Sequence, residues 1–335
     1  MEAQVITEIG PGDLLAWLGP GGAGRGLTGP RGGAVVVRLD GAEPEPPHGT
    51  VAALGSLPLI VIAVGAPGPG WRNLADVIVP AGDPVLEEII GTVEARPVAA
   101  TSLAVLLRGQ EHRPVPEGLA AESAVYSALQ AGPEFAAWRR TRPVRERPQR
   151  KGPRVLVERD GDVLLLTLDR PEVRNAVDAA LSEELVEACA VAAADPTIGR
   201  VELRGAGPAF CAGGDLEEFG SRPDPATAHL IRLHRSAGRA LWEIRERTTV
   251  FLHGACYGSG IELPAFAGTV LAAPGTRIAL PEVALGLVPG AGGTVSVTAR
   301  AGRHRTAWLA LSGRSVDAAT ALEWGLVDAV TEDGA

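Results

Sequence analysis

Two glutamates, Glu262 and Glu282, stand in glycine-rich and nearly uncharged stretches. The first reads Gly258-Ser259-Gly260-Ile261-Glu262-Leu263. The second reads Leu280-Pro281-Glu282-Val283-Ala284-Leu285-Gly286 and runs on into Gly290-Ala291-Gly292-Gly293-Thr294. A carboxylate among apolar residues is costly to bury unless a proton or hydrogen bonds stabilise it. Two such groups close in sequence suit a general acid and a general base acting at one site. A third segment, Pro208-Ala209-Phe210-Cys211-Ala212-Gly213-Gly214-Asp215-Leu216, supplies a turn whose backbone N–H groups can face a substrate oxygen.

These segments need elements to hold them. Residues 155–158 and 163–168 read as a hairpin around the turn Arg159-Asp160-Gly161-Asp162. Residues 178–194 form an amphipathic helix with Leu181, Leu185, Ala188 and Ala192 on one face. A short strand is predicted at 200–204, and a second helix over 227–245 with Leu230, Leu233, Ala237, Leu241 and Ile244 inward. Residues 249–252 and 269–272 have strand composition. Alternating strands and helices predict an α/β fold with a largely parallel sheet. Pro264 requires the helix carrying Glu262 to start near Gly260 or Ile261, or to bend there.

The first 140 residues show the same kind of pattern, with buried strands at 34–39, 58–64 and 75–79 and helices at 83–95 and 117–140. Asp83 caps the first of these helices, with Pro84 in its first position. The stretch 141–153, TRPVRERPQRKGP, carries three prolines and five basic residues. It reads as a solvated linker or as a basic strip for phosphates. The expected organisation is an N-terminal α/β region at 1–140, this linker, and a catalytic domain at 154–335.

Composition narrows the function class. A net charge of −9 over 335 residues argues against nucleic-acid binding. No apolar run reaches the roughly 18–20 residues that span a bilayer. The start of the chain lacks the pattern of a secretory signal. Cys189, Cys211 and Cys256 are an odd number without metal spacing, which is the usage of a reduced cytosolic protein. Lys151 is the only lysine, so a ligand phosphate must meet arginine, backbone N–H groups or a helix N-terminus. His229 and His234 have a poor spacing for a shared metal, and no metal site is expected. The sequence has no dinucleotide-binding fingerprint, no zinc motif and no serine nucleophile elbow. Gly290-Ala291-Gly292-Gly293 is not followed by the Lys-Ser/Thr of a phosphate loop.

Taken together, residues from about 155 to 330 resemble the enoyl-CoA hydratase/isomerase, or crotonase, family. The resemblance rests on the three segments above, an opening Leu168-Asp169-Arg170-Pro171-Glu172-Val173-Arg174-Asn175-Ala176, and a closing Ala318-Ala319-Thr320-Ala321-Leu322-Glu323-Trp324-Gly325-Leu326-Val327-Asp328. It implies a crotonase-like spiral of ββα units and hydration of a 2-enoyl-CoA. Coenzyme A would enter as part of the substrate, with no separate cofactor. Other acyl-CoA reactions of the family (isomerisation, thioester hydrolysis, C–C cleavage) and a weakly catalytic subunit acting by association remain open.

The resemblance also implies roles. Glu262 would activate water for attack at C3, and Glu282 would deliver a proton to C2. The N–H groups of Ala212 and Ser259 would form an oxyanion hole, shaped by Gly258, Gly260, Gly213 and Gly214. A helix after Ser259 would aim its positive end at the same oxygen. Asp215 would fix the turn. Coenzyme A would lie against Arg174 and Ala176, with Arg174 near a phosphate. Glu217 stands where the family often has lysine, and with Glu218 it would repel a phosphate. The acyl chain would meet Phe219, Leu230, Leu233 and Trp242. A trimer-based homo-oligomer and a cytoplasmic location are the default expectations. The helix at 117–140 resembles the C-terminal helical tail of ordinary members. The N-terminal region is therefore either a degenerate crotonase-like half restoring that tail or an unrelated α/β domain.

Overall fold

The computed structural model describes residues 6–19, 32–55, 57–142, 144–145, 152–221 and 224–332. Most of the 141–153 stretch lies outside the described residues.

The N-terminal part is a four-stranded parallel sheet in sequential order: β1 (Ile6–Glu8), β2 (Gly33–Leu39), β3 (Leu59–Gly65) and β4 (Val77–Val79). Three helices join its strands: α1 (Pro11–Leu18), α2 (Thr50–Leu54) and α3 (Pro69–Leu74). Both faces of β2 and β3 are buried, so their sequences are continuous apolar runs. Val35, Val37, Leu59 and Val61 pack with Leu14, Leu54 and Trp71 of the joining helices. Val36, Ile60 and Ile62 face the other way, onto α4 (Val85–Ala95) and α5 (Pro97–Arg108). This alternation is the period of two of a strand. Helix α4 starts at Val85 with Pro84 in the cap position, one residue later than expected, and Asp83 accepts the Val85 N–H at 2.9 Å from just outside it. The composition of α5 hides it in the sequence, because small and apolar residues occupy nearly its whole circumference.

The expected helix at 117–140 is two helices, α6 (Val115–Gln130) and α7 (Pro133–Thr141). Gly132 and Pro133 divide them, with proline in the first turn of α7.

The C-terminal part begins with the hairpin β5 (Val155–Asp160) and β6 (Val163–Leu168). Its strands extend to Asp160 opposite Val163, leaving Gly161 and Asp162 as a two-residue turn. Next comes α8 (Ala179–Ala194), capped by Asp178, which accepts the Leu181 N–H at 2.7 Å. Then follow β7 (Arg200–Gly205), α9 (Pro225–His234), α10 (Ala237–Glu243), β8 (Thr248–Leu252), β9 (Ala255–Tyr257) and the single turn α11 (Ser259–Glu262). The chain continues through β10 (Thr269–Ala272), β11 (Arg277–Ala279), α12 (Gly293–Ala301), α13 (Arg303–Ser312), β12 (Val316–Asp317), α14 (Ala318–Glu323) and β13 (Ala329–Val330). Six strands make one sheet in the order β13-β10-β8-β7-β6-β5, and β12-β11-β9 make a small second sheet. The large sheet is parallel except for the β5–β6 pair.

The helix expected over 227–245 is broken. It ends at His234, and Ser236 caps α10 by accepting the Arg239 N–H. Ala237, Leu241 and Ile244 are buried as expected, but Leu230 and Leu233 are exposed.

One hydrophobic core runs from the N-terminal sheet through α4, α5 and α6 into the catalytic sheet. Helices α4 and α5 pack on α13, while α6 packs on α9 and α12. The N-terminal helix that resembles a crotonase tail therefore lies against the catalytic part.

Candidate active site

Loop geometry at the site depends first on Asn175, which is fully buried and has φ 54°. Its Oδ1 accepts the Arg170 N–H, and its Nδ2 donates to the carbonyls of Ala206, Ala209 and Phe210. The loop ahead of the 211–215 turn is thus pinned from one side chain. Asp215 is tied to the buried Arg170 at 3.1 Å and accepts the Glu217 N–H at 3.2 Å.

The main chain of that turn decides which N–H groups are available. Ala212 N–H donates to the Arg174 carbonyl at 2.9 Å. The expected donor is therefore engaged by a protein acceptor in this structure. Gly213 and Asp215 exchange backbone bonds with Val177, whose N–H reaches the Gly213 carbonyl. Gly214 N–H lies between them and donates to no described residue. Ser259 N–H is likewise without a backbone acceptor. Both residues line one cavity of about 170 Å³ with Glu262 and Glu282.

Gly258 and Gly260 shape that cavity without lining it. Gly258 has φ 50°, and a Cβ there would fall on Glu282 Oε1. A Cβ on Gly260 would fall on the Cys211 carbonyl. Both positions require glycine for close approach, and Gly258 also for its left-handed φ. Pro264 ends α11 and opens a 3₁₀ turn at Pro264–Phe266. Glu262 is already placed by then. A single turn of helix replaces the longer one whose dipole was expected to face the oxyanion.

The two expected glutamates come together in different settings. Glu262 Oε2 accepts the N–H groups of Ala291 and Gly293, each at 2.8 Å. Glu282 Oε2 is buried and has no hydrogen-bond partner. Burial pushes Glu262 up to about 7, while the loop N–H groups pull it down. Glu282 is pushed well above the carboxylate range by burial first and by the charge of Glu262 second. Donors surround Glu262 and none meets Glu282 Oε2, so the charged form is better supported on Glu262 than on Glu282.

A third carboxylate was not singled out in the sequence. Glu122 of α6 is buried against the same loop. It accepts the Gly292 N–H at 2.7 Å and the Thr294 N–H and hydroxyl at 2.9 and 2.6 Å. Burial and the charge of Glu262 push it up to about 8 against those bonds. Tyr126, one turn on, lines the cavity, and burial pushes its phenol up. The available signal was Glu122's setting in Gly118-Leu119-Ala120-Ala121-Glu122, as apolar as that of Glu262.

Other expected residues sit at the margin. Arg174 is exposed and makes no ion pair among the described residues. Ala176 is buried, with its carbonyl held by Arg170. Glu217 pairs with Arg142 at 3.6 Å and accepts the Arg145 N–H. Glu218 accepts the Ala179 N–H at 2.7 Å. Both acids therefore have partners of their own. Of the apolar residues expected at the acyl chain, Phe219 lines the cavity, whereas Leu230 and Leu233 point outward. His253 bonds the Gly207 carbonyl at 2.9 Å, a structural contact. Burial pushes the Cys211 thiol up to about 11 and the Cys189 thiol up to about 12, and Cys256 rises for the same reason. None has the environment of a nucleophile. No cluster of metal-ligand side chains is present among the described residues.

Comparison with known proteins identifies the family. The enoyl-CoA hydratase/isomerase family model matches residues 158–334. The 2,3-dehydroadipyl-CoA hydratase of Escherichia coli is 36% identical over 176 residues, covering 52% of this chain and 68% of the relative. The mevalonyl-coenzyme A hydratase of Beauveria bassiana is 32% identical over 186 residues, covering 51% and 64%. Among solved structures, an enoyl-CoA hydratase subunit I from Geobacillus kaustophilus superposes with a TM-score of 0.50 at 27% identity, covering 54% of this chain and 70% of that one. The fold, the paired glutamates and the family match lead to one conclusion: this chain belongs to the enoyl-CoA hydratase/isomerase family.

Proposed function

We propose that the protein adds water across the C2=C3 bond of a 2-enoyl-CoA thioester. The observation that carries this reading is the contrast within one cavity between Glu262, anchored by two N–H donors through Oε2, and Glu282, whose Oε2 is buried and unpartnered. Retention of both carboxylates favours hydration over reactions that need one of them.

The thioester carbonyl oxygen would receive the free N–H groups of Gly214 and Ser259. Each fixed donor of this kind is worth about 2.7–4 kcal/mol to a developing oxyanion. Glu262 Oε1 would take a proton from water as the oxygen attacks C3. The electrons of the double bond move onto the thioester oxygen, giving an enolate. Glu282 would then deliver its proton to C2 as the enolate collapses. The proton gained by Glu262 passes to Glu282 and restores the pair. Coenzyme A would extend past Arg174, whose exposed guanidinium, without an ion pair among the described residues, suits a phosphate.

Two features weigh toward a weakly catalytic subunit: Pro264 and Glu217. Pro264 follows the placed Glu262, and Glu217 has its own partners. These observations shift the balance toward catalysis. The relatives' names specify different acyl groups, so the substrate does not follow from family membership.

The test is hydration of crotonyl-CoA and a longer enoyl-CoA, followed by enone absorbance. Wild type should be active, with Glu262→Gln and Glu282→Gln each slower by orders of magnitude. Activity indifferent to both substitutions would refute the assignment.

A further inference from the structure

Tyr126 of α6 lines the cavity of Glu262 and Glu282 and does not line the adjoining one of about 180 Å³. The adjoining cavity presents apolar side chains at Leu119, Val177, Ala237, Leu263 and Ala291, against which an acyl chain can pack. The phenol therefore stands with the two glutamates and not along the chain.

The two glutamates sit at different ends. A Cβ at Gly258 would fall on Glu282, which places that carboxyl beside Ser259. A Cβ at Gly290 would fall on the Tyr126 ring, and one at Gly293 on Glu262. Tyr126 and Glu262 thus share the 290–293 loop, whose N–H groups hold Glu262. The ring is also braced by Arg232, whose guanidinium carbon sits 4.8 Å from its centroid. Arg232 is itself tied back to α6 by donating to the hydroxyls of Ser123 and Ser127. The Tyr126 hydroxyl has no such tie. It makes no hydrogen bond among the described residues, and its oxygen is not one of their sealed, unpartnered polar atoms. In a residue otherwise buried, that access runs through the cavity. Burial pushes the phenol up against the pull of Arg232, so it keeps its proton and remains a donor.

A phenylalanine would fill the same space and pack on the same loop. A hydroxyl in that place gains only if something in the cavity accepts from it. We infer that Tyr126 is a further catalytic residue: its phenol donates to the oxygen added at C3, first as water and then as the product hydroxyl. Water has two lone pairs. One forms the bond to C3 and the other accepts from the phenol, while the proton leaves to Glu262. Tyr126 itself gives up no proton. The inference rests on the hydratase reading and adds to it a contact with the reacting oxygen from the N-terminal region.

The experiment titrates 3-hydroxybutyryl-CoA and butyryl-CoA, which differ by that one oxygen, into the full chain by calorimetry. Glu282→Gln serves as the background, because it slows turnover of the hydroxy thioester. The background should favour 3-hydroxybutyryl-CoA, and adding Tyr126→Phe should lower that preference by about threefold to tenfold, the strength of one neutral hydrogen bond. The preference is a ratio within each variant, so a lower folded fraction cancels. With Glu282 intact, Tyr126→Phe should lower kcat for crotonyl-CoA hydration by about tenfold and leave KM nearly unchanged, because the enoyl thioester lacks the oxygen. A ring with only a packing role would leave the preference where it was. A preference untouched by Tyr126→Phe overturns the inference, and hydration by the wild type then leaves the hydratase reading standing. A preference that falls as stated in a chain that hydrates no enoyl thioester does the opposite. Failure to bind either thioester overturns both.

Discussion

Glu122 and Glu262 divide four consecutive backbone N–H groups between them. Those of Ala291 and Gly293 go to Glu262 Oε2, and those of Gly292 and Thr294 go to the two oxygens of Glu122. The loop is held from both sides by carboxylates from distant parts of the chain. Position of Glu262 thereby depends on a residue of the N-terminal region.

Glu122→Ala should show that dependence. It leaves buried N–H groups unsatisfied, at about 1–3 kcal/mol each. The melting temperature should fall, and kcat/KM should fall by about a hundredfold, the scale of an ångström's misplacement of a catalytic group. Glu122→Gln keeps one acceptor and should fall between wild type and alanine in both measurements. Activity at the wild-type level in Glu122→Ala would show that the loop holds Glu262 without it.

The rate should depend on pH through the base. Glu262 lies near 7, raised by burial, and must be ionised to take a proton. Below that value kcat/KM should fall tenfold per pH unit. Glu282 must be protonated and is raised further, so the alkaline limb belongs at higher pH. A profile flat from pH 5 to 8 would count against these assignments.

Glu282 should also weaken the fold as pH rises. Its folded pKa lies above its unfolded value, so the native state keeps a proton that the unfolded chain has lost. The effect is absent below the ordinary range of about 4.3 and grows as pH climbs from there toward the raised folded value. Glu282→Gln, which is neutral throughout, should melt near wild type at pH 4 and above it at pH 8. A constant difference in melting temperature between those two conditions would contradict the raised pKa.

Ser259→Pro removes one backbone donor at a position where proline fits, the first residue of α11. Loss of a single oxyanion donor predicts a fall of about a hundredfold to a thousandfold in kcat. Ser259→Ala keeps the N–H and should stay within a few-fold of wild type. Circular dichroism would confirm that the proline variant is folded; a folded variant of normal activity would remove Ser259 N–H from the mechanism.

Burial and repeat are local properties, and the sequence by itself determined what depends on them. Alternation at 163–168, the helical period at 178–194 and the cap at Asp178 follow from neighbours a few residues apart. The two buried glutamates of the cavity were legible for the same reason: a carboxylate among glycines and aliphatic residues marks itself. Partner choice is not local. Which N–H of the 211–215 turn stays free was decided by the Arg174 carbonyl, brought near by residues with left-handed φ at Arg174 and Asn175. Which face of α9 meets the cavity was decided by Ser123 and Ser127 of α6. Glu122 reaches Gly292 across 170 positions, and no short-range pattern connects them. Only the packing of α6 against α9 and α12, through one shared core, made an N-terminal helix part of the candidate active site.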